Sequence, residues 1–191
     1  MAAAVARPHD YTPATAQARE AALKYAVQRL DASGVRAELI EGDIRIVTPT
    51  WDHENAVDKL RDRLAARASE LKCVKGSGNL DLPGTENWYL PDIAIIPEAS
   101  ARGAKSLPAD EALLAVEVTS ESNAADDRIK KRRRYGQYGV PLYLLVDRID
   151  QTWTLFSEPV HDGYAVTDGP HPFGQPISLP DPFNITVSTD F

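Results

Sequence analysis

Two carboxylates stand where this chain should be building its core. Asp92 lies in Tyr89-Leu90-Pro91-Asp92-Ile93-Ala94-Ile95-Ile96, and Glu117 lies in Leu113-Leu114-Ala115-Val116-Glu117-Val118-Thr119. Both runs have the length and β-branched content of short buried strands. A charge in such a strand is costly unless it is paired or binds a cation. Two carboxylates that converge in a fold are a natural seat for a hard divalent metal, which prefers oxygen ligands.

Around these runs the pattern is that of one α/β (α+β) domain spanning residues 1–191, with 1–11 a flexible terminus. Thr12-Pro13 reads as N-cap and first residue of a helix that runs through Leu23, Val27 and Leu30 and stops at Ser33-Gly34. Residues 37–47 read as two short strands around a Glu41-Gly42-Asp43 turn. A second helix covers residues 51–71, its stripe of Val57, Leu60, Leu64, Ala68 and Leu71 having core-facing spacing. Residues 73–82, 87–96 and 113–119 read as strands, with a polar loop over 99–110. A third helix over 123–138 ends at Gly139, ahead of Pro141. Residues 142–146 form a further buried strand closed by Asp147, which reads as a turn residue. Short strands follow at 152–156, 164–167 and 185–187.

Composition narrows the function classes. A single cysteine, Cys73, leaves no internal disulfide and no cysteine-based zinc cluster, and suits a reducing cytoplasm. No apolar run approaches the roughly 20 residues needed to span a bilayer. The Ala-rich start lacks a basic region and is broken by Arg7-Pro8-His9-Asp10, so a signal peptide is not expected. His9, His53, His161 and His171 show no metal-ligand spacing. There is no Gly-rich phosphate loop. The net charge of -7 argues mildly against nucleic acid. Yet Arg128, Lys130, Lys131, Arg132, Arg133 and Arg134 crowd one stretch, and a basic face on an acidic body can bind phosphate.

Asp127, Lys131 and Tyr135 fall at i, i+4 and i+8 of the third helix, with Tyr138 continuing the stripe. Among the six basic residues only Lys131 shares that face. Lys130, Arg132, Arg133 and Arg134 point elsewhere and are candidate phosphate contacts. Metal-assisted phosphodiester cleavage needs carboxylates to hold the ion and a cation or general base near the attacking water. Asp92, Glu117 and Lys131 are the candidates. His53, Asp127 and Tyr135 are candidate auxiliary residues of the site, against blander readings: an ordinary surface pair for Asp127 and Lys131, a capping or core role for His53, a core role for Tyr135, and a solvated strand position for Glu38.

Several segments together resemble a known family. They are Leu90-Pro91-Asp92-Ile93-Ala94-Ile95, Val116-Glu117-Val118-Thr119-Ser120, the Asp127, Lys131, Tyr135 spacing, and Gly139-Val140-Pro141-Leu142-Tyr143-Leu144-Leu145-Val146-Asp147. Glu38-Leu39-Ile40-Glu41-Gly42 and the Pro49 to His53 segment also look like its pattern. The family is the Uma-type restriction endonucleases, within the PD-(D/E)XK nuclease superfamily. The resemblance implies a restriction endonuclease-like mixed sheet of four to five strands flanked by helices. It implies Asp92 and Glu117 as ligands of magnesium or manganese, and Glu38 as a further acidic residue of the site. The superfamily signature places a lysine two residues after the second acid, where this chain has Thr119; members of the family supply it from the following helix, which points to Lys131. The expectation is a cytoplasmic, homodimeric, metal-dependent endonuclease (a hydrolase) acting on DNA. The alternatives are a catalytically silent nuclease-fold module that binds nucleic acid or assembles with other proteins, and a phosphoesterase for a small substrate.

Overall fold

The structure, a computed structural model, describes residues 13–121 and 123–190. The expected N-cap at Thr12 and the 1–11 terminus lie outside the described residues. The first helix, α1 (Pro13–Ala32), lays Leu23, Val27 and Leu30 on Ala37, Leu39 and Trp88. Strands β1 (Ala37–Ile40) and β2 (Asp43–Ile46) follow as a hairpin. Its turn residues Glu41 and Gly42 have φ of 50° and 87°. Two positive φ angles define the type I′ turn that suits the twist of paired strands. Helix α2 (Trp51–Glu70) is capped by Thr50, whose side chain accepts from the His53 backbone N–H. It buries Ala56, Val57, Leu60, Leu64 and Ala68 along one stripe.

That stripe packs on a six-stranded sheet ordered β11-β10-β9-β8-β6-β3. Its strands are β3 (Cys73–Gly76), β6 (Ile93–Pro97), β8 (Leu114–Val118), β9 (Leu142–Asp147), β10 (Thr152–Val160) and β11 (Gly163–Pro172). Only β8 and β9 run parallel, so a crossover must join them. It consists of a π-helical stretch, Asp126–Lys131, continuing into α4 (Arg132–Gln137). A second sheet, β2-β1-β5-β4-β7, adds β4 (Asn79–Asp81), β5 (Trp88–Tyr89) and β7 (Ser106–Pro108). The pair β12 (Ile177–Leu179) and β13 (Ile185–Val187) adds Ile177, Leu179 and Val187 to the core beneath α2.

Three differences from the sequence reading have local causes. The 73–82 and 87–96 runs each break in two, at Ser77-Gly78 and at Leu90-Pro91, and their halves join different sheets. Glycine and a proline without an N–H are the residues that end a ladder. The polar 99–110 loop instead holds the end of a short helix, α3 (Glu98–Ala101), and the edge strand β7, paired in parallel with β4. The sheet carrying Asp92 and Glu117 has six strands because β10 and β11 extend it, and the distal half of that hairpin is largely exposed. No helix among the described residues is long and apolar enough to cross a membrane.

Candidate active site

Alternation along β6 and β8 decides where the two carboxylates face. Ile93 pairs with Val116 in register, and both pack beneath α2. Ala94 and Ala115 lie on the opposite face, in the core shared with Tyr89, Tyr135 and Tyr143. Asp92 and Glu117, one step beyond the Ile93–Val116 pair, therefore face this second core. On β1, Leu39 turns toward α1 while Ile40 packs in the second core, so Glu38, in step with Ile40, approaches from the other sheet. Lys131 enters between them from the crossover.

The resulting cluster is short-ranged and largely buried. Lys131 Nζ lies 2.9 Å from Glu38 Oε1, 3.2 Å from Glu117 Oε1 and 3.2 Å from Asp127 Oδ1. Lys131 and Glu117 are each 1 % exposed. The Tyr135 hydroxyl donates to Glu117 Oε1 at 2.9 Å, and the Leu90 backbone N–H donates to Glu38 Oε1 at 2.8 Å. Asp92 is fixed separately: its Oδ2 accepts from the Val118 N–H at 2.7 Å and lies 3.2 Å from His53 Nε2. The same imidazole nitrogen is 3.0 Å from the Val118 carbonyl. The π-helical turn keeps Asp127 and Lys131 both on the buried side, as wide turns do at many functional sites.

Electrostatics follow from three carboxylates against one ammonium, with Asp92 close enough to act on Glu117 and Asp127. Burial pushes Glu117 well above the usual carboxylate range; Lys131 opposes this, and Asp127, Asp92 and Glu38 add to it. Asp127 is pushed up to about 7, again chiefly by burial, against the pull of Lys131. Neither of its carboxylate oxygens meets a hydrogen-bond donor in good geometry among the described residues. Burial works against the charge on Lys131, but Asp127, Glu117 and Glu38 outweigh it and hold the ammonium well above the usual lysine range. Lys131 is therefore a cation and a donor. Burial likewise disfavours a charged His53, and its contact with Asp92 reverses the balance, raising it above 6.5.

A cleft of about 220 Å³ opens onto this cluster. Glu38, Asp92, Glu117, Lys131 and His53 line it, along with Arg45, the 46–49 strap, Ser120 and Asn123. Sequence reasoning missed Arg45, although its alternation with Ile44 and Ile46 across from Glu38 was a signal. It also missed Ser120 and Asn123, whose only trace was a turn-like Ser-x-x-Asn spacing. The other basic residues of the crossover do not line the cleft. Lys130 pairs with Asp126, Arg133 and Arg134 with Glu41, and Arg128 with Asp147 and Asp150; Arg132 lies over the Phe156 ring. Tyr138 donates its hydroxyl to the Pro83 carbonyl, away from the cluster.

Among the described residues no group of three or more His, Cys, Asp or Glu side chains is arranged to hold a metal ion. Asp92 and Glu117 nevertheless line one cleft, and a pair of carboxylates would fit a divalent ion that keeps several of its waters. The surplus of negative charge around Lys131 agrees with a cation at this place.

The mixed sheet and its crossover helix make a restriction endonuclease-like fold, and a solved structure shares that fold. A protein from Anabaena variabilis, described as a "putative nuclease belonging to DUF820", superposes with a TM-score of 0.60 at 16 % identity, over 82 % of this chain and 88 % of that one. The chain itself belongs to the Uma2 family, described as "Putative restriction endonuclease", which matches residues 22–190. No functionally curated protein matches it.

Proposed function

We propose that this protein is a metal-dependent endonuclease that hydrolyses phosphodiester bonds in DNA. The observation that carries the reading is the convergence of Asp92 and Glu117 on one cleft, with a buried ammonium beside Glu117. Family membership supports the reaction class. Asp92 and Glu117 would hold magnesium or manganese, which when bound polarises a phosphoryl oxygen and lowers the pKa of bound water. The chain's own groups have separate tasks. Lys131, held protonated, donates toward negative charge that builds on the phosphoryl oxygens. Glu38 and Asp127 aim that ammonium. Tyr135 fixes one oxygen of Glu117, and His53 with the Val118 N–H fixes one oxygen of Asp92, leaving the partner oxygens for a ligand.

The test is nicking of supercoiled plasmid in magnesium or manganese, beside E117A, D92N and a chelator control. Wild-type nicking that vanishes in all three controls supports the reading. Cleavage by a folded E117A protein sinks it. A folded, metal-binding wild type that leaves DNA intact would point to the silent nucleic-acid-binding module instead.

A further inference from the structure

Trp51 is 92 % exposed, whereas Trp88 and Trp153 are 4 % and 2 % exposed. A lone exposed apolar residue needs no explanation, but the position of this one does. Pro49 and His53, its neighbours two residues away on either side, both line the cleft. The Trp51 backbone is therefore within about 7 Å of the cleft wall. As the first residue of α2 it lies about 200° round the helix from His53. Its ring thus leaves the helix on the side away from His53 and stands in solvent at the start of α2, next to the cleft. The strap between β2 and α2 presents Ile46, Val47, Thr48 and Pro49 to the cleft, with no charge among them. Beside it Arg45, half-exposed, has as its ion-pair partner among the described residues only its neighbour Asp43, at 3.6 Å.

Two further observations limit what can enter. The groups that would act, Glu117 and Lys131, are 1 % exposed at the bottom of the cleft of about 220 Å³. That space is below the roughly 300–1,000 Å³ of ordinary ligand pockets. It suits a single sugar-phosphate unit, which an unpaired strand presents more readily than a paired duplex. A duplex is also held chiefly by rows of free lysines and arginines. Here the crossover cations other than Lys131 and Arg132 are already paired with carboxylates of this chain.

We infer that the cleft takes an unpaired strand, threading one nucleotide past Arg45 toward Asp92 and Glu117 while an adjacent base stacks on Trp51. Base-on-aromatic stacking tolerates any sequence, because every base has a π-face. The inference rests on the nuclease reading for what happens at the carboxylates, but the stacking step stands or falls alone.

The experiment exploits the contrast between the three tryptophans. Acrylamide quenching of the intact protein reports mainly Trp51. In calcium, which holds a phosphate-binding site without fast turnover, we expect a single-stranded DNA oligonucleotide to shield that fluorescence. We expect a blunt duplex of the same sequence to do so at least tenfold less tightly. By fluorescence anisotropy of labelled strand, W51A should bind on the order of tenfold or more weaker, and W51F should recover most of the loss. Duplex binding as tight as single-strand binding, or W51A binding equal to wild type, overturns the inference. Nicking with W51A unaltered would do the same and leave the nuclease reading intact. Trp51-dependent strand binding without any cleavage would instead keep this inference and remove the other.

Discussion

Lys131 Nζ stands 3.2 Å from Oε1 of Glu117, and each side chain is 1 % exposed. In such a place the ammonium is what permits the carboxylates. Removing one partner of a buried ion pair leaves an uncompensated charge and costs about 3–5 kcal/mol. K131M should lose stability on that order in urea denaturation and lose cleavage entirely. Adding E117Q to K131M should recover much of the stability and none of the activity. A K131M protein as stable as wild type would show that the ammonium does not compensate these carboxylates.

Tyr135 offers a gentler probe of the same carboxylate. Its hydroxyl donates to Glu117 Oε1 at 2.9 Å, while its ring packs 5.3 Å from the rings of both Tyr89 and Tyr143. Y135F keeps the packing and deletes only the donor, a loss of about 1–3 kcal/mol for a bond to a charged group. Glu117 then loses its orientation but not its place. The expected signature is a raised magnesium requirement for half-maximal nicking, with a modest fall in melting temperature. An unchanged metal requirement would make Tyr135 a core residue only.

Gly136 marks where α4 crosses the β10–β11 hairpin. A Cβ there would sit 2.0 Å from the Gly163 carbonyl oxygen, a backbone atom that cannot swing aside. Overpacking of this kind typically costs about 1–3 kcal/mol, and backbone clashes lie at the upper end. G136A should therefore melt well below wild type, or misplace the crossover and weaken cleavage through Lys131. An isothermal urea midpoint equal to wild type would mean that helix and hairpin separate freely.

How much of this is legible in the sequence depends on whether the signal is local. The α2 stripe through Val57, Leu60 and Leu64 and the shared face of Asp92 and Glu117 follow from periodicities of 3.6 and 2. The placing of Lys131, Asp127 and Tyr135 on one side of the crossover follows from helical spacing, though not the π-helical turn that carries the first two. The meeting of Glu38 with Lys131 has no local trace, because Glu38 arrives on a different sheet whose order only tertiary packing sets. The same holds for His53, whose imidazole crosses from α2 to Asp92. Thr119, in the place where a lysine would complete the superfamily pattern, donates to Asp147 at 3.1 Å and so ties β8 to the turn after β9.

Asp127 separates two accounts of the cluster by a pH effect. Burial above all pushes its carboxyl from the ordinary 3.8 up to about 7, with Glu38 and Asp92 adding to this and Lys131 opposing. A carboxyl that holds its proton more tightly when folded makes the folded state the better proton binder between those two values. Stability therefore falls as pH rises from 3.8 to about 7, and the deficit is complete above it. Asn cannot ionise, so D127N escapes the deficit. In magnesium-free buffer, the melting temperature of D127N relative to wild type should climb between pH 5 and pH 8 and level off beyond. An ordinary ion pair with Lys131 would keep the wild-type carboxylate ionised throughout, so D127N would sit at a constant offset below wild type across that range. Melting curves of the two proteins across that range decide between them.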